Sequence, residues 1–569
     1  MKNFHIVCFF ILALVQSLIA SPFDYSPETI PLSSSLYADM DTLYLLSGLS
    51  PASSARPWSK SEAAIIFDRV DEASLSSYGR KLYDHVARII EPGLRWQFSD
   101  TFGLGVGAEV NLEMYAHSDG DEFTTDEDWL YGADDRMPLL KGYLDFGMSD
   151  FFYLSMDLRL AVSRVTTSDA LKQVPSTGVG AIVPPNSNVQ FVDWSGIFSR
   201  GFDTNLIGGG KSVDLQWPKR AVAAIGGKRW NVTLSKDRLQ WGNGLSGNFL
   251  IGNHVDAHNF FRASVFSDHF KFEWTNLFFE TSLSPHEAKS ESLRMLMAHR
   301  FEFRPWGWMS FVISDAVMFG GDFLELSFIN PAYIFHNLYN RDMLNAIVCA
   351  ELSFAVYPGV NLYGQFVMDQ AQSVGEGDWE ADAYGFLAGV EYLMVLGPGT
   401  FEIAVEYAQT SPSLYRRDTV DFLMFRKYYV SAQIGSIPVF DYIGYRYGGD
   451  AQVLQADFRY HMVGYGKVGL SVIGLRHGEM DLFAVHNTDG SNTNTSNIQG
   501  PPPSGDIINE SLIVSVTGEY EIPRLFNWMD MSVWTRIDWI GRRTYARPAK
   551  TYGDEISDWQ CTLGIKVSI

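Results

Sequence analysis

The chain has 569 residues, a formal net charge of -23, and 46% hydrophobic and 14% aromatic residues. A balance this acidic argues against a nucleic-acid partner, because nucleic-acid binding needs clustered lysines and arginines. It also means that an anionic ligand would have to be held by local arginines or by bridging cations. No apolar run beyond the N-terminus approaches the roughly 18 residues of a membrane helix, so short β-strands account better for the composition.

Residues 1–20 have the pattern of a secretory signal peptide. Lys2 precedes an apolar run, and small residues surround Ala20. The apolar run is too short to span a membrane as a helix, so we predict cleavage near Ala20 and export of the mature chain. Cys349 and Cys561 then remain, on strands far apart in sequence and on unlike faces, and we predict no disulfide between them.

Residues 21–91 form the second predicted unit, a small N-terminal helical segment. Its periodicity is helical in three pieces, with Asp39 and Ser59 as candidate N-caps and Gly48 as a candidate stop. About fifty helical residues are too few for a confident core of their own. We therefore expect this segment to dock against the part of the chain that follows.

Residues 92–569 change to a period of two, which predicts β-strands. In residues 102–115 one face carries leucine, valine, alanine and methionine, and the other carries glycine, glutamate and asparagine. A soluble sandwich and an outer-membrane barrel both explain such faces. Strand length favours the barrel, and so does the alternation of tight turns with long connections. We predict an all-β fold, a large closed antiparallel transmembrane β-barrel of about 18 strands, closed by residues 559–569.

The stretch from residue 230 to residue 253 is the candidate binding site. A strand leads into a glycine-rich loop that carries Arg238, Trp241, Asn243 and Asn253. One interpretation is a rigid surface turn with Trp241 packed for support. The other is a carbohydrate contact, in which the tryptophan face covers a sugar while arginine and asparagine satisfy its hydroxyls. The glycine spacing also matches a dinucleotide fingerprint, but no helix follows, so we reject that match.

Other candidate chemistry is weaker. Ser246 lacks both the closing glycine and the helix of a nucleophile elbow, so we predict no catalytic residues and no enzyme. The acidic residues 117–128 lack EF-hand spacing, so we predict no metal site and no cofactor. Asp315 and Asp322 flank a Gly-Gly pair at a predicted strand exit, where they would accept sugar hydroxyls or serve as ordinary turn residues.

Three blocks resemble the Wzi family of capsule-assembly outer-membrane proteins. They are the loop at residues 238–253, the run HRFEFRPWGWMSFVISDAVMFGG at residues 299–321, and LYGQFVMDQ at residues 362–370 followed by FLAGVEY at residues 386–392. The resemblance implies a large barrel with an N-terminal helical segment. It also implies a surface lectin that holds capsular polysaccharide.

The sequence thus predicts a non-enzymatic lectin of the cell outer membrane that binds surface or capsular polysaccharide and helps attach or assemble it. The expected partners are that polysaccharide, outer-membrane lipid and the barrel-assembly machinery. The expected polysaccharide contacts are Arg238, Trp241, Asn243, Asn253, Asp315 and Asp322. The alternative is an outer-membrane porin for small solutes or sugars. A filled lumen would favour the lectin, and an open one the porin.

Overall fold

The structure is a computed structural model. It describes residues 20–22, 27–91, 94–99, 101–123, 128–132, 135–163, 173–175, 190–192, 200–208, 211, 213–214, 218–280, 293–321, 324, 329–332, 344–370, 382–415, 421–431, 435–480, 500–526 and 529–569. Apart from Ala20, the predicted signal peptide lies outside these residues. Among the described residues, no helix is both long and apolar enough to cross a membrane.

Eighteen antiparallel strands form a closed barrel, as the sequence predicts, because the last strand pairs with the first. The strands are β1 (Phe102–His117), β2 (Leu140–Met148), β3 (Phe152–Val162), β4 (Ala221–Gly227), β5 (Trp230–Asp237), β6 (His258–Phe266), β7 (Phe270–Phe279), β8 (Leu293–Trp306), β9 (Met309–Gly321), β10 (Leu344–Tyr357), β11 (Val360–Gln370), β12 (Ala383–Leu396), β13 (Gly399–Thr410), β14 (Ala451–Met462), β15 (Gly466–His477), β16 (Ile507–Phe526), β17 (Met529–Ala546) and β18 (Ile556–Ser568).

The remaining strands are short. One of them, Leu94–Ser99, pairs with the start of β1. The hairpin of Leu423–Ser431 and Gly435–Tyr442 stands apart from the barrel ladder. The others are Ala20–Pro22, Ala55–Arg56, Gln173–Pro175, Gln190–Val192, Phe202–Thr204, Val213–Asp214, Gln240–Trp241 and Thr551–Tyr552.

The apolar rows of the strands point outward and the polar rows point inward. On β1, Val106 is 55% exposed and Leu112 is 45% exposed, whereas the neighbouring Asn111 and Glu113 are 1% and 2% exposed. A soluble sandwich would bury the valine and leucine and expose the polar side chains. This inverted pattern is that of a barrel whose outer wall is solvated by lipid. Cys349 points into the lumen and Cys561 points out, and both are free, as predicted.

The two ends of the barrel differ. One end, the short-turn end, has connections of two or three residues, among them 149–151, 267–269, 358–359 and 397–398. Gly359 and Gly397 adopt φ of +85° and +61° there, which favours glycine. Exposed aromatic residues ring this end, among them Trp306, Trp308, Tyr357 and Tyr465. Such a girdle marks the membrane interface of transmembrane barrels. The opposite end, with the long connections, is the long-loop end.

Residues 27–91, here called the N-terminal plug, fill the lumen near the short-turn end. They contain α1 (Leu36–Leu46), α2 (Lys60–Phe67) and α3 (Ser77–Ile90), with a 3-10 turn at Glu72–Ser74. Their shared core includes Leu36, Met40, Leu43, Trp58 and Leu82, all buried. Backbone bonds tie the plug to the turns of the wall, from Ser50 N–H to Gly307 O at 2.8 Å and from Gly359 N–H to Leu45 O at 2.7 Å. The expectation that the helices dock against the barrel is confirmed.

The helix caps agree only in part with the sequence. Ser59 caps α2, since its Oγ accepts the N–H of Glu62. Gly48 lies just past α1 with a φ of +68°, which fits the predicted stop. The prediction of Asp39 as an N-cap is wrong, because α1 begins at Leu36 and Asp39 lies in its first turn. Apolar residues recur with helical spacing from Leu36 onward, so the helix begins about one turn before the predicted start.

Candidate functional site

The loop after β5, residues 238–257, folds into the lumen and is here called the loop plug. Within it, the N–H of Trp241 donates to Ile251 O at 3.0 Å. Its strand Gln240–Trp241 pairs with Ala55–Arg56 of the N-terminal plug, and Gly242 N–H donates to Ser54 O at 3.0 Å. The two plugs therefore form one hydrogen-bonded body inside the barrel. The glycine-rich stretch is an internal element rather than a surface turn.

Trp241 is completely buried in this body. Its indole N–H donates to Glu273 on β7, with Nε1 and Oε1 2.9 Å apart, and the guanidinium carbon of Arg300 lies 5.6 Å from the ring centroid. The expectation of an open ring face for a sugar is therefore wrong, because protein atoms cover both the ring and its polar edge. The alternative interpretation, a tryptophan packed for support, agrees with this position.

The glycines of the loop plug are explained by close packing. Gly242 has a φ of +117°, and a Cβ there would lie 2.2 Å from Asn248 Oδ1 and 2.4 Å from Gln365 Nε2. Next to it, the carboxylate of Glu406 on β13 accepts the N–H groups of Leu245 and Ser246 at 2.7 and 2.9 Å. The Ser246 hydroxyl also contacts Glu406 and the hydroxyl of Tyr445, so its hydrogen bonds hold the loop in place.

The loop plug shares an apolar core with the barrel wall and with residues 414–415, 422–424 and 442–445. The core contains loop residues, lumen-facing residues of the strands, and residues of the long connection between β13 and β14. Its larger members are Leu239, Trp241, Phe249, Leu250, Ile251, Leu277, Met318, Ile347, Leu387, Tyr415, Phe422, Tyr442 and Tyr445. Apolar side chains fill the lumen here, whereas an open pore would place water there.

Buried ion pairs join the plugs to the wall where the lumen-facing row is charged. Lys271 Nζ on β7 lies 2.7 Å from Glu62 of α2 and 3.2 Å from Glu273, and it donates to Ala55 O at 3.0 Å. Arg300 on β8 donates to Glu302 at 2.9 Å and to Glu351 at 3.0 Å. Charges enclosed by protein need such partners because an unpaired one is costly to desolvate.

A polar cavity of about 480 Å³ remains beside the loop plug. It lies against β1–β3 and β18, and residues 31–33 of the N-terminal plug border it. Its other lining residues are Glu109, Tyr115, Tyr131, Asp135, Arg136, Met137, Pro138, Lys141, Tyr143, Arg159, Ala161, Val162, Ser163, Asp203, Thr204, Asn205, Lys219, Arg220, Asp237, Arg238, Asp256, Arg426 and Lys566. Its size is within the range of ordinary ligand sites, about 300 to 1,000 Å³.

Tyrosines and fixed polar groups give the cavity its chemistry. The Tyr143 hydroxyl donates to Glu109 Oε2 at 2.8 Å, and the Tyr131 hydroxyl donates to Glu113 Oε1 at 2.9 Å. The Arg136 guanidinium carbon lies 4.0 Å from the ring centroid of Tyr115. Rings held in place by hydrogen bonds can cover the C–H face of a sugar, and neighbouring cations can donate to its oxygens.

The predicted contact residues occupy different places. Arg238 is half-buried and lines the cavity, and Asn253 is exposed at the far end of the loop plug. Asn243 is half-buried within the loop plug. The expectation for Asp315 is wrong in its location: it lies inside β9 on the outward row, 8% exposed, with Oδ2 3.4 Å from His299 Nδ1, and not at a strand exit. Asp322 lies outside the described residues.

Most of the cavity residues are missing from the sequence-based prediction. Lys141, Arg159 and Lys566 lie on lumen-facing rows of β2, β3 and β18, so strand alternation alone gives their direction. Lys219 lies in the long connection between β3 and β4, and Arg426 lies on the hairpin strand Leu423–Ser431 within the connection between β13 and β14. No sequence signal places those two beside the strand residues.

Asp256 provides a pH-dependent contact at the edge of this cavity. Burial alone would raise the pKa of Asp256, but the adjacent Arg426 guanidinium and Lys219 ammonium hold this pKa well below its usual value. A carboxylate with a depressed pKa stabilises the fold above its unfolded pKa of about 3.9. That contribution is lost as the pH falls through the lower folded pKa.

We therefore expect the loop plug to loosen below about pH 4, the unfolded pKa of an aspartate. Hydrogen exchange of residues 238–257, corrected for the intrinsic exchange rate at each pH, would measure this loosening. In Asp256→Asn the contact lacks its titrating group, so the variant should exchange faster than the wild type at pH 6 and show less additional loss of protection on acidification. Equal pH profiles for the two proteins would contradict the assignment.

Comparison with known proteins finds a matching family and solved structures with a similar fold. The family model described as capsule assembly protein Wzi matches residues 188–497. The structure of Escherichia coli Wzi, an outer membrane protein involved in group 1 capsule assembly and a carbohydrate-binding β-barrel, is similar with a TM-score of 0.52 at 12% identity, covering 95% of this chain and 99% of that one. OprD of Pseudomonas aeruginosa has a TM-score of 0.34 at 9% identity, covering 82% and 94%. No curated protein sequence matches.

The lipid-facing rows, the closed barrel and this family match agree on the location of the protein. It is an outer-membrane β-barrel, as the sequence predicts. In such barrels the short turns face the periplasm and the long loops face the outside. The N-terminal plug therefore lies at the periplasmic end of the lumen, and the cavity residues Asp256 and Arg426 lie toward the external side.

Proposed function

Because the chain belongs to the Wzi family of capsule assembly proteins, we propose that it is a non-enzymatic outer-membrane lectin. In this role it binds surface or capsular polysaccharide and helps attach or assemble it at the cell surface. The observation that carries the proposal is the polar cavity of about 480 Å³, lined by tyrosines, arginines and lysines, beside a loop plug that packs into the lumen. A protein whose lumen is packed in this way can retain a glycan but offers little room for solute flow.

Binding would rely on groups that are already held in position. Tyr131 and Tyr143 are fixed by hydrogen bonds to buried carboxylates, so their rings lose little freedom when a sugar covers them. Arg238 presents a guanidinium at the cavity, and Asn253 presents an exposed amide on the same loop. We propose Arg238 and Asn253 as the polysaccharide contacts among the residues suggested by the sequence. Trp241 acts indirectly, by holding the loop plug in place.

The alternative of a sugar porin is disfavoured by the filling of the lumen. The two plugs are hydrogen-bonded to each other, and the loop plug shares an apolar core with lumen-facing residues such as Leu277, Met318 and Ile347. A diffusion pore needs a continuous water-filled path. The described residues instead place helices at the periplasmic end and a packed loop above them.

Two further partners belong to the same proposal. The outward rows of β1, such as Val106 and Leu112, would be solvated by outer-membrane lipid. The closing strand β18 alternates to its end and forms the seam with β1. We propose that the barrel-assembly machinery inserts the chain and that this seam closes last.

Filling the cavity tests the lectin function without removing a charge or a hydrogen-bond donor. Ala161 on β3 points into the cavity, so Ala161→Trp should place an indole where the glycan would sit. We expect this variant to lose at least about tenfold in affinity for surface polysaccharide, a loss of about 1.4 kcal/mol. Isothermal titration with the purified full-length protein in detergent measures the loss.

The matched control is Ala223→Trp. Ala223 lies on β4, beside β3 in the same wall, and pairs with the outward-facing Leu154 and Leu234. The same substitution there faces lipid and should leave glycan binding unchanged. Wild-type affinity in Ala161→Trp, with the variant folded, would remove the cavity from the proposal.

A further inference from the structure

We infer that the outer wall of the barrel binds a phosphorylated glycolipid of the outer leaflet, in a groove at the external end of β13–β17. This groove, here called the outer-wall groove, has a volume of about 400 Å³. It lies on the lipid side of the wall, because Leu454 and Leu512 line it and are 55% and 45% exposed in the outward row. The groove is thus separate from the lumen cavity, and lipid binding there is independent of the lectin function.

A glycine forms the floor of the outer-wall groove. Gly474 on β15 pairs with Leu454 on one side and with Leu512 on the other, so it belongs to the same outward row. A Cβ at Gly474 would lie 4.0 Å from Leu454 O and would meet no closer atom, so the space above it is open. At Gly541, in the same row of β17, the ring of Trp539 occupies the corresponding space. The open strip between the two leucines therefore suits one acyl chain, which would pack against apolar atoms on both sides.

Charged side chains begin at one level of the outward row on three neighbouring strands. Arg476, Glu510 and Arg543 lie directly opposite one another on β15, β16 and β17. Trp539 and Trp559 pair in the same outward face at a level nearer the periplasm, and such aromatic residues mark a membrane interface. The three charged side chains therefore lie at the headgroup level of the outer leaflet. The outward positions immediately before them are Leu470, Val472 and Gly474 on β15, Val516, Val514 and Leu512 on β16, and Ile537, Trp539 and Gly541 on β17.

Glu510 holds the two arginines in position. Its Oε1 accepts from Arg476 Nε at 3.1 Å, and its Oε2 accepts from Arg543 Nε at 3.0 Å. The Arg543 guanidinium carbon also lies 4.1 Å from the ring centroid of Tyr552. The side chains of Arg476 and Arg543 remain 44% and 42% exposed. Because a guanidinium group has five N–H donors, one carboxylate shared by two of these groups leaves donors on both for a phosphate, which arginine binds in a bidentate manner.

Amide side chains continue the charged row toward β13. Gln452 lines the groove and pairs with Arg476, and its Nε2 donates to Gln409 Oε1 at 3.2 Å. The Tyr407 hydroxyl donates to the same oxygen at 2.8 Å. Amides and a phenol can exchange hydrogen bonds with sugar hydroxyls. Their position beside two guanidinium groups favours a headgroup that carries a phosphate on a sugar over a phospholipid without sugar.

One acid in the groove has no cationic partner among the described residues. Glu555 is exposed, and its Oε1 would lie 3.4 Å from a Cβ on Gly541. Its carboxylate would repel a phosphate placed beside Gly541. The position that avoids this repulsion is next to Arg476, above the open strip at Gly474.

The test measures lipid binding to the purified full-length protein in detergent by native mass spectrometry. The probes are diphosphoryl lipid A, the same lipid without its phosphates, and phosphatidylglycerol. We expect diphosphoryl lipid A to bind at least about tenfold more tightly than either of the others. Equal affinity of the two lipid A forms would overturn phosphate recognition, and equal affinity of phosphatidylglycerol would overturn the glycolipid. Displacement of lipid A by millimolar inorganic phosphate would also overturn the inference, because it would show an anion site that makes no use of the apolar groove.

Charge variants test the headgroup contact. Arg476→Gln should weaken binding of diphosphoryl lipid A at least about tenfold, as for loss of a charged hydrogen bond. Arg229→Gln is the matched control, because Arg229 is 57% exposed beside Asp268 but lies in a turn at the periplasmic end. Glu555→Gln should tighten binding, since it removes the repelling carboxylate. Wild-type affinity in Arg476→Gln would remove this arginine, and with it the phosphate position, from the site.

A glycine variant tests the groove without changing a charge. Gly474→Trp should fill the open strip and lower the affinity for diphosphoryl lipid A at least about tenfold. Gly518→Trp is the matched control, because Gly518 pairs with the outward-facing Val468 nearer the periplasmic end, where a Cβ would meet only Thr535 Cγ2 at 3.7 Å. Neither glycine faces the lumen, so polysaccharide binding should stay as in the wild type. Undiminished lipid A binding by folded Gly474→Trp would show that the lipid does not occupy the outer-wall groove.

Discussion

Trp241→Ala is expected to release the loop plug from the lumen and leave the barrel wall intact. The substitution removes a completely buried indole and leaves Glu273 without its 2.9 Å donor. Truncation of a buried tryptophan costs about 3 to 5 kcal/mol. Hydrogen exchange, read peptide by peptide, should show faster exchange within residues 238–257 and unchanged protection in β5 to β7.

Trp230→Ala is the matched control for this prediction. Trp230 begins β5, immediately before the loop plug, but its side chain is 42% exposed on the outward face. Its loss should leave exchange within residues 238–257 as in the wild type. Slow exchange of the loop plug in Trp241→Ala would show that this tryptophan does not hold it.

The Trp241 variant should also weaken glycan binding, but for a structural reason. The loop plug carries Arg238 and contributes Asp256 to the cavity wall, so its release takes both away from the site. Trp241→Phe separates packing from direct contact, since it fills most of the same space but cannot donate to Glu273. We expect Trp241→Phe to bind glycan more tightly than Trp241→Ala, because the phenylalanine ring keeps more of residues 238–257 ordered.

The second large effect is expected from Lys271→Met, which removes the cation between the N-terminal plug and the wall. Lys271 is 1% exposed and contacts Glu62, Glu273 and the carbonyl of Ala55. Removing one partner of a buried ion pair costs about 3 to 5 kcal/mol because the other charge stays buried and uncompensated. We expect the N-terminal plug to loosen and the lumen to open. Planar-bilayer recordings should show frequent channel openings for this variant and few for the wild type.

The pH should change the size of this defect. Burial raises the pKa of Glu62 even with Lys271 beside it. Without the lysine this carboxyl should take up a proton at still higher pH, and a neutral carboxyl is less costly to bury. The raised pKa means that the folded state gains stability as the pH falls and loses it as the pH rises through the folded pKa. Channel openings of Lys271→Met should therefore become rarer at pH 5 than at pH 8.

Lys228→Met controls for the loss of a lysine. Lys228 is exposed in the short turn between β4 and β5, and an ion pair at so exposed a position contributes at most about 1 kcal/mol. This variant should stay as closed as the wild type. A wild-type protein that conducts steadily would favour the porin over the lectin, because it would show that the plugs leave a continuous water path.

The barrel follows from local rules, and for this reason the sequence by itself determines it. Successive side chains of a strand leave on opposite faces. Alternation along residues 102–115 therefore places Leu112 and Glu113 in opposite rows, whichever solvent each row meets. The turns at 358–359 and 397–398 are equally local. The stop at Gly48 and the cap at Ser59 are also set by residues within one helical turn.

The site was decided by tertiary structure alone. Trp241 reads equally well as an exposed platform or a buried support, and its burial results from Glu273, Arg300 and Ser54, which are distant in sequence. The cavity brings Lys566 of β18 beside Glu109 of β1 only because the barrel closes. Alternation gives each lysine or arginine its direction but not its neighbours. Which charges meet across the lumen depends on ring closure and on the inward folding of the loop, and neither leaves a periodic signal in the sequence.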